Sequence, residues 1–170
     1  MDVRRVEEAE VVHLAKIWYD GWQDAHAEIL PADLARVRTL ESFRDRLQAN
    51  IEDVRAVGAL GAAEGFCIVK GDELYQLFVA APSRGKGAAA ALVADAETRI
   101  SEQGFETAWL ACAIGNEKAA RFYEKCSWRR VGSMASRLET SNGEFWLEVW
   151  RFEKPLRSVM KQQPTSNGCQ

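Results

Sequence analysis

The sequence predicts one α/β (α+β) domain. Its sheet is mixed and mostly antiparallel, with a central parallel β-α-β-α unit and helices on both faces. Three observations carry this. Residues 74–126 alternate strand and helix patterns, which is how a chain makes parallel neighbours. The flanks read as hairpins instead, at residues 54–69 and around Ser141-Asn142-Gly143. A length of 170 residues, with 47% apolar and 28% charged side chains, suits a single domain with a full core.

Taken in order, Val3 to Val6 reads as a short first strand. Glu7 to Trp22 reads as an amphipathic helix, with Val11, Leu14, Ala15 and Trp18 at helical spacing and Gly21 loosening its end. Pro31 opens a further helical stretch to about Asn50, with Leu34, Val37, Phe43 and Leu47 as core residues. Val54 to Leu60 and Gly65 to Val69 are strands joined by Gly61-Ala62-Ala63-Glu64, and Lys70-Gly71-Asp72 turns the chain into the next strand, Leu74 to Val79. Residues 82–87 hold a Pro, a Ser and two Gly, which is loop chemistry. From Ala88 the residues are strong helix formers, with Leu92, Ala96 and Ile100 on one face, and Gln103-Gly104 ends the helix. Phe105 to Ala113 is a buried strand, Asn116 caps the next helix, and Ser127 to Leu138 and Glu144 to Phe152 are the last strands. Residues 1–157 form the expected domain, and 158–170 a polar, flexible tail.

Composition narrows the function. The net charge is −3, from 22 basic and 25 acidic residues without a basic block, which argues against a nucleic-acid partner. No apolar run approaches the roughly 18 residues of a membrane span. The N-terminus lacks the apolar core of a signal peptide, and Cys67, Cys112, Cys126 and Cys169 form no C-x-x-C pair. The expectation is a cytoplasmic protein with reduced thiols, no membrane partner and no metal.

The chemistry centres on Arg84-Gly85-Lys86-Gly87-Ala88-Ala89, a loop feeding a helix N-terminus. Small residues there let backbone N–H groups and the positive helix end approach a phosphate. A Walker loop fails because Ala88 follows Gly87 where Lys is needed. A dinucleotide loop matches Gly85-x-Gly87-x-x-Ala90, but the strand ends five residues earlier and no acid closes the next strand. The pattern [QR]-x-x-G-x-[GA] is met by Arg84, Gly87 and Ala89.

At these residues the chain resembles the GCN5-related N-acetyltransferase (GNAT) family. Asn116 to Trp128 reinforces the likeness: an Asn, then a helix ending in Phe122-Tyr123, then Ser127-Trp128 where the family usually has Gly-Phe. The resemblance spans roughly residues 72–132. It implies acetyl-CoA as acyl donor and a primary amine as acceptor. It also implies pantetheine pairing along Leu77, Phe78 and Val79, a cofactor contact at Asn116, and an N–H on that strand, such as that of Phe78, for the developing oxyanion. Tyr123 matches the tyrosine that often sits near the cofactor sulfur in the family. A phenol with pKa near 10 can protonate a leaving thiolate. Glu73 matches a family carboxylate that takes the amine proton, with His26 as a rival base. The acceptor side is expected among Trp18, Tyr19, Asp20, Trp22, Asp24, His26 and Glu28, with Trp22 and His26 as substrate-binding residues holding a cationic amine. Two other readings stay open: a non-catalytic acyl-CoA-binding module, and an NAD-dependent oxidoreductase. A homodimer contact through Phe145 to Phe152, with Trp146 and Trp150, is a further expectation.

Overall fold

A computed structural model describes residues 1–157. The expected tail at 158–170 lies outside the described residues. The strands are β1 (Val3–Arg5), β2 (Val54–Ala59), β3 (Ala62–Lys70), β4 (Glu73–Val79), β5 (Thr107–Ala113), β6 (Arg129–Thr140) and β7 (Gly143–Pro155). The helices are α1 (Val11–His26), α2 (Ala32–Val37), α3 (Leu40–Ala49), α4 (Ala88–Glu102) and α5 (Glu117–Lys125). All seven strands join one sheet in the order β1-β2-β3-β4-β5-β7-β6. Among the described residues only β4 and β5 pair in parallel. The predicted mixed sheet with a central parallel unit is therefore the fold. A sheet of this kind is not the parallel, doubly wound sheet of a dinucleotide-binding domain.

Period-two alternation along β3 and β4 sends successive side chains to opposite layers. Leu92, Val93, Ala96 and Ile100 of α4 and Ala120 of α5 pack with Cys67, Val69, Leu74, Leu110 and Phe152 on one face. On the other, Leu14 and Trp18 of α1, Leu34 of α2, and Phe43 and Leu47 of α3 pack with Phe66 and Ile68. Each fully buried Val, Leu, Ile or Phe among them contributes about 1.5–3 kcal/mol of transfer free energy.

The boundaries differ from expectation in instructive places. Glu8–Glu10 form a 3-10 turn before α1, and α1 runs past Gly21 to His26. Gly21 does not loosen the helix: a Cβ there would lie 2.6 Å from Phe78 Cδ1, so glycine lets α1 close onto β4. The stretch from Pro31 to Asn50 breaks at Arg38, because Thr39 caps a new helix by accepting from Ser42 N at 3.1 Å. On the β6–β7 hairpin, Trp146 is 62% exposed, whereas Trp150 is half-buried with the Arg130 guanidinium 4.5 Å from its ring centroid.

Candidate active site

The site begins where two central strands part. β4 and β5 share a single rung, Glu73 opposite Trp109. Asp72 O accepts from Trp109 N at 3.0 Å, and Asp72 Oδ1 accepts from Trp109 Nε1 at 3.0 Å. Beyond this clamp the strands diverge. Residues 75–79, in the middle of a seven-stranded sheet, are all partly exposed, while Phe66, Cys67 and Ile68 of neighbouring β3 are fully buried. An open strand edge of this kind accepts an extended, amide-bearing ligand.

The divergence leaves a cleft of about 660 Å³, within the range of small-molecule sites. Its walls are Leu74 to Val79 of β4, Ala111 to Ala113 of β5, Phe122 and Tyr123 of α5, and Gly21, Asp24 and His26 of α1. Its mouth holds Arg84, Gly85, Gly87, Ala88 and Ala89 at the start of α4. Gly87 is the N-cap of α4 with φ +92° and ψ 0°, and open space lies where its Cβ would stand. That left-handed glycine turns the loop onto the helix axis and leaves the first N–H groups of α4 unobstructed. Such a cradle fits a phosphate. Arg84 is held beside it, donating to Val79 O at 3.3 Å and to Asp24 Oδ2 at 3.3 Å.

Most of the sequence-predicted residues come together here. Leu77, Phe78, Val79, Arg84, Gly85, Gly87, Ala88, Ala89, Asn116, Tyr123 and His26 all line the cleft. Lys86 is exposed in the loop and is not among the lining residues. Asn116 also caps α5, its Oδ1 accepting from Ala119 N at 3.2 Å. Trp22 is buried in the core beside His26, ring centroids 5.5 Å apart.

Glu73 stands at the clamp, one residue before the lining begins. Burial pushes its carboxyl up to about 7; Lys70 and Arg151 pull the other way. Burial pushes His26 down to about 4, so its imidazole is neutral at pH 7, and its buried Nδ1 has no hydrogen-bond partner among the described residues. Tyr123 packs on Phe122, Trp128 and Phe152, and burial raises its phenol well above the usual value, which keeps the proton in place. Cys112 also lines the cleft; burial pushes its thiol up to about 12, too high for a nucleophile at neutral pH. Sequence reasoning missed Cys112 and Tyr75 as cleft residues. Their side-chain pattern reads equally well as core.

Among the described residues there is no helix long and apolar enough to cross a membrane, and no metal-ligand cluster.

The family model described as "Acetyltransferase (GNAT) family" matches residues 11–128. Among solved structures, a GCN5-related N-acetyltransferase (aminotransferase, class-II) from Rhodopseudomonas palustris superposes with a TM-score of 0.71 at 17% identity, covering 91% of this chain and 95% of that one. A ribosomal-protein-alanine N-acetyltransferase from Brucella melitensis superposes with a TM-score of 0.66 at 18% identity, covering 92% and 100%. The PaiA N-acetyltransferase from Thermoplasma acidophilum, in complex with coenzyme A, gives a TM-score of 0.61 at 18% identity, covering 91% and 98%. At these identities the likeness is one of fold. No curated protein sequence matches the chain.

Proposed function

The chain belongs to the acetyltransferase (GNAT) family, and from that premise we propose that it moves an acetyl group from acetyl-CoA to a primary amine by direct attack, with both substrates bound together. The observation that carries the proposal is the freed edge of β4 running from the clamp at Glu73 to a glycine-capped helix start. The edge suits a pantetheine arm and the helix start a pyrophosphate. The PaiA relative, solved with coenzyme A, supports this donor. Acetyl-CoA supplies the activated thioester.

The chain's own residues then have separable tasks. Leu77, Phe78 and Val79 hold the arm by backbone pairing, and the loop from Arg84 to Ala89 holds the phosphates. Glu73 takes the proton from the amine, directly or through water. A carboxyl near pKa 7 is matched to that task at neutral pH, whereas the weakly basic His26 is not. Tyr123 returns a proton to the departing thiolate. Free thiols at Cys67, Cys112 and Cys126 support a cytoplasmic setting.

The test is thermal unfolding with acetyl-CoA and with NADH, followed by thiol release with amines and the Tyr123→Phe variant. Ligand at about 100 times its dissociation constant adds about 2.7 kcal/mol to the folded state. We expect a shift with acetyl-CoA and none with NADH. Tyr123→Phe is expected to lower kcat about 100-fold with little change in KM. A shift with acetyl-CoA but no thiol release with any amine would favour the acyl-CoA-binding module, the second reading; thiol release unchanged in Tyr123→Phe would move the proton donor away from Tyr123. A shift with NADH alone would overturn both.

A further inference from the structure

Of the residues expected to hold a cationic amine, His26 lines the cleft but is a neutral imidazole, and the aromatic and acidic residues around it are largely engaged elsewhere. Trp18 and Trp22 are buried in the core, 0% and 6% exposed. Asp20 pairs with Lys16 at 3.1 Å, and Asp24 pairs with Arg84 at 3.3 Å. The charge behind the inner wall of the cleft is instead positive, and it is gathered on Tyr75. This residue is the extra one in a bulge of β4, where Ile68 faces Gln76 and Val69 faces Leu74. Tyr75 and Gln76 line the cleft. Lys70 Nζ sits 3.8 Å from the centroid of the Tyr75 ring. Arg46 Nη2 donates to Tyr75 Oη at 2.8 Å, and its guanidinium rests 4.3 Å from the centroid of Trp18.

Two features make this arrangement unusual for a plain core. Tyr75 Oη accepts from Arg46, which leaves its own hydrogen without an acceptor among the described residues. Arg38, 3% exposed, donates through Nη1 to Glu139 O at 3.0 Å, close enough to Arg46 to be repelled by it. The exposed Arg36 of α2 and Arg44 of α3 pair with Asp33 and Glu41. Arg38 and Arg46 form no ion pair among the described residues, and the carboxyl of Glu73 acts on Lys70. Lys70 is exposed and Arg46 half-buried, but holding the buried Arg38 beside Arg46 without an anion is costly. A hydrogen-bonded anion offsets that cost, and a phenol already accepting from a guanidinium is a strengthened donor toward it.

We infer that the acceptor amine carries a carboxylate, received by the Tyr75 O–H with Arg46 and Arg38 behind it. This rests on the acetyltransferase reading above. It places the substrate among free amino acids and similar amino carboxylates. Simple amines and polyamines are excluded.

Thiol release with the full chain and acetyl-CoA tests the inference on matched pairs: free amino acids against their carboxamides and decarboxylated amines. We expect kcat/KM for the carboxylates to exceed that for their neutral partners about 10-fold or more. In Tyr75→Phe the ratio falls to about 3-fold or less, and in Arg46→Gln it falls similarly. Because the readout is a ratio within one protein sample, partial loss of folding does not mimic it. Equal use of the paired amines, preference for the neutral ones, or no acetylation of any carboxylate-bearing amine overturns the inference. A preference that persists unchanged in both variants overturns the assignment to Tyr75. Wild-type protein that binds acetyl-CoA but prefers carboxamides sinks this inference alone; protein that binds no acetyl-CoA sinks the acetyltransferase reading with it.

Discussion

Ser127 is the described non-glycine residue with positive φ, at +68°. It follows the last turn of α5, where Trp128 N donates to Tyr123 O at 3.0 Å and Ser127 N to Glu124 O at 3.0 Å. That pattern requires a left-handed residue at the helix end, and glycine takes it without a Cβ penalty. The serine is tolerated because the aromatic after it is strongly seated. Trp128 is 2% exposed and donates to Glu97 Oε1 at 3.0 Å, and Lys154 Nζ binds the same carboxylate at 2.7 Å. Ser127→Gly is therefore expected to stabilise the protein by roughly 0.5–1 kcal/mol, read as a higher urea midpoint at unchanged slope. It should leave thiol release alone, because the side chain is exposed. A lower midpoint would mean that the Ser127 side chain contributes more than its backbone costs.

Between β4 and β5, one rung decides how much of β4 is left open. The indole N–H and main-chain N–H of Trp109 both bind Asp72, and the Arg151 guanidinium lies 4.4 Å from the Trp109 ring centroid. Trp109→Phe keeps the ring and removes the indole bond. Loss of one such bond should raise KM for acetyl-CoA about 3- to 10-fold with kcat nearly unchanged. A kcat effect with constant KM would place the clamp's role in the chemistry instead. This element also marks how far the chain was legible. The glycine loop at the start of α4 could be read from Arg84, Gly87 and Ala89, because small residues there suit a turn onto a helix end. The helix with Tyr123 could be read from Asn116 and the Phe-Tyr pair. The strand divergence could not, because Leu74 to Val79 has the same apolar pattern whether its second edge is paired or free. The same holds for Tyr75: the bulge depends on the register with β3, and its arginine comes from α3, 29 positions away. The break at Arg38 was readable from Thr39 and Ser42, a capping pair hidden inside a helical pattern.

At the scale of the whole molecule, two carboxyl groups set opposing pH limits. Glu10, its side chain 2% exposed, accepts from Arg4 Nη2 at 2.7 Å, from Glu7 N at 3.1 Å and from Gly61 N at 3.1 Å. One side chain thus joins β1, the start of α1 and the turn between β2 and β3. The Arg4 hydrogen bonds hold its carboxyl down at about 2, against a usual value of about 4.3. A depressed carboxyl stabilises the fold above its unfolded pKa, and this is lost as pH falls from about 4.3 through about 2. Glu73 has the opposite sign. Its folded pKa is raised to about 7, so between about 4.3 and 7 the folded state holds more protons than the unfolded one. Stability from this group is complete below pH 4.3 or so and declines as pH rises toward 7. Keeping this half-buried carboxyl at the end of the open strand is thus a stability cost near pH 7. Urea midpoints measured from pH 3 to pH 8 separate the two. Glu10→Gln is expected to cost roughly 2–3 kcal/mol at pH 7 and to flatten the acid limb. Glu73→Gln should flatten the decline toward neutrality and abolish most thiol release. If Glu73→Gln removes the pH dependence of stability yet leaves kcat/KM and its pH profile intact, Glu73 is a buried structural carboxyl and the proton acceptor must be sought at His26.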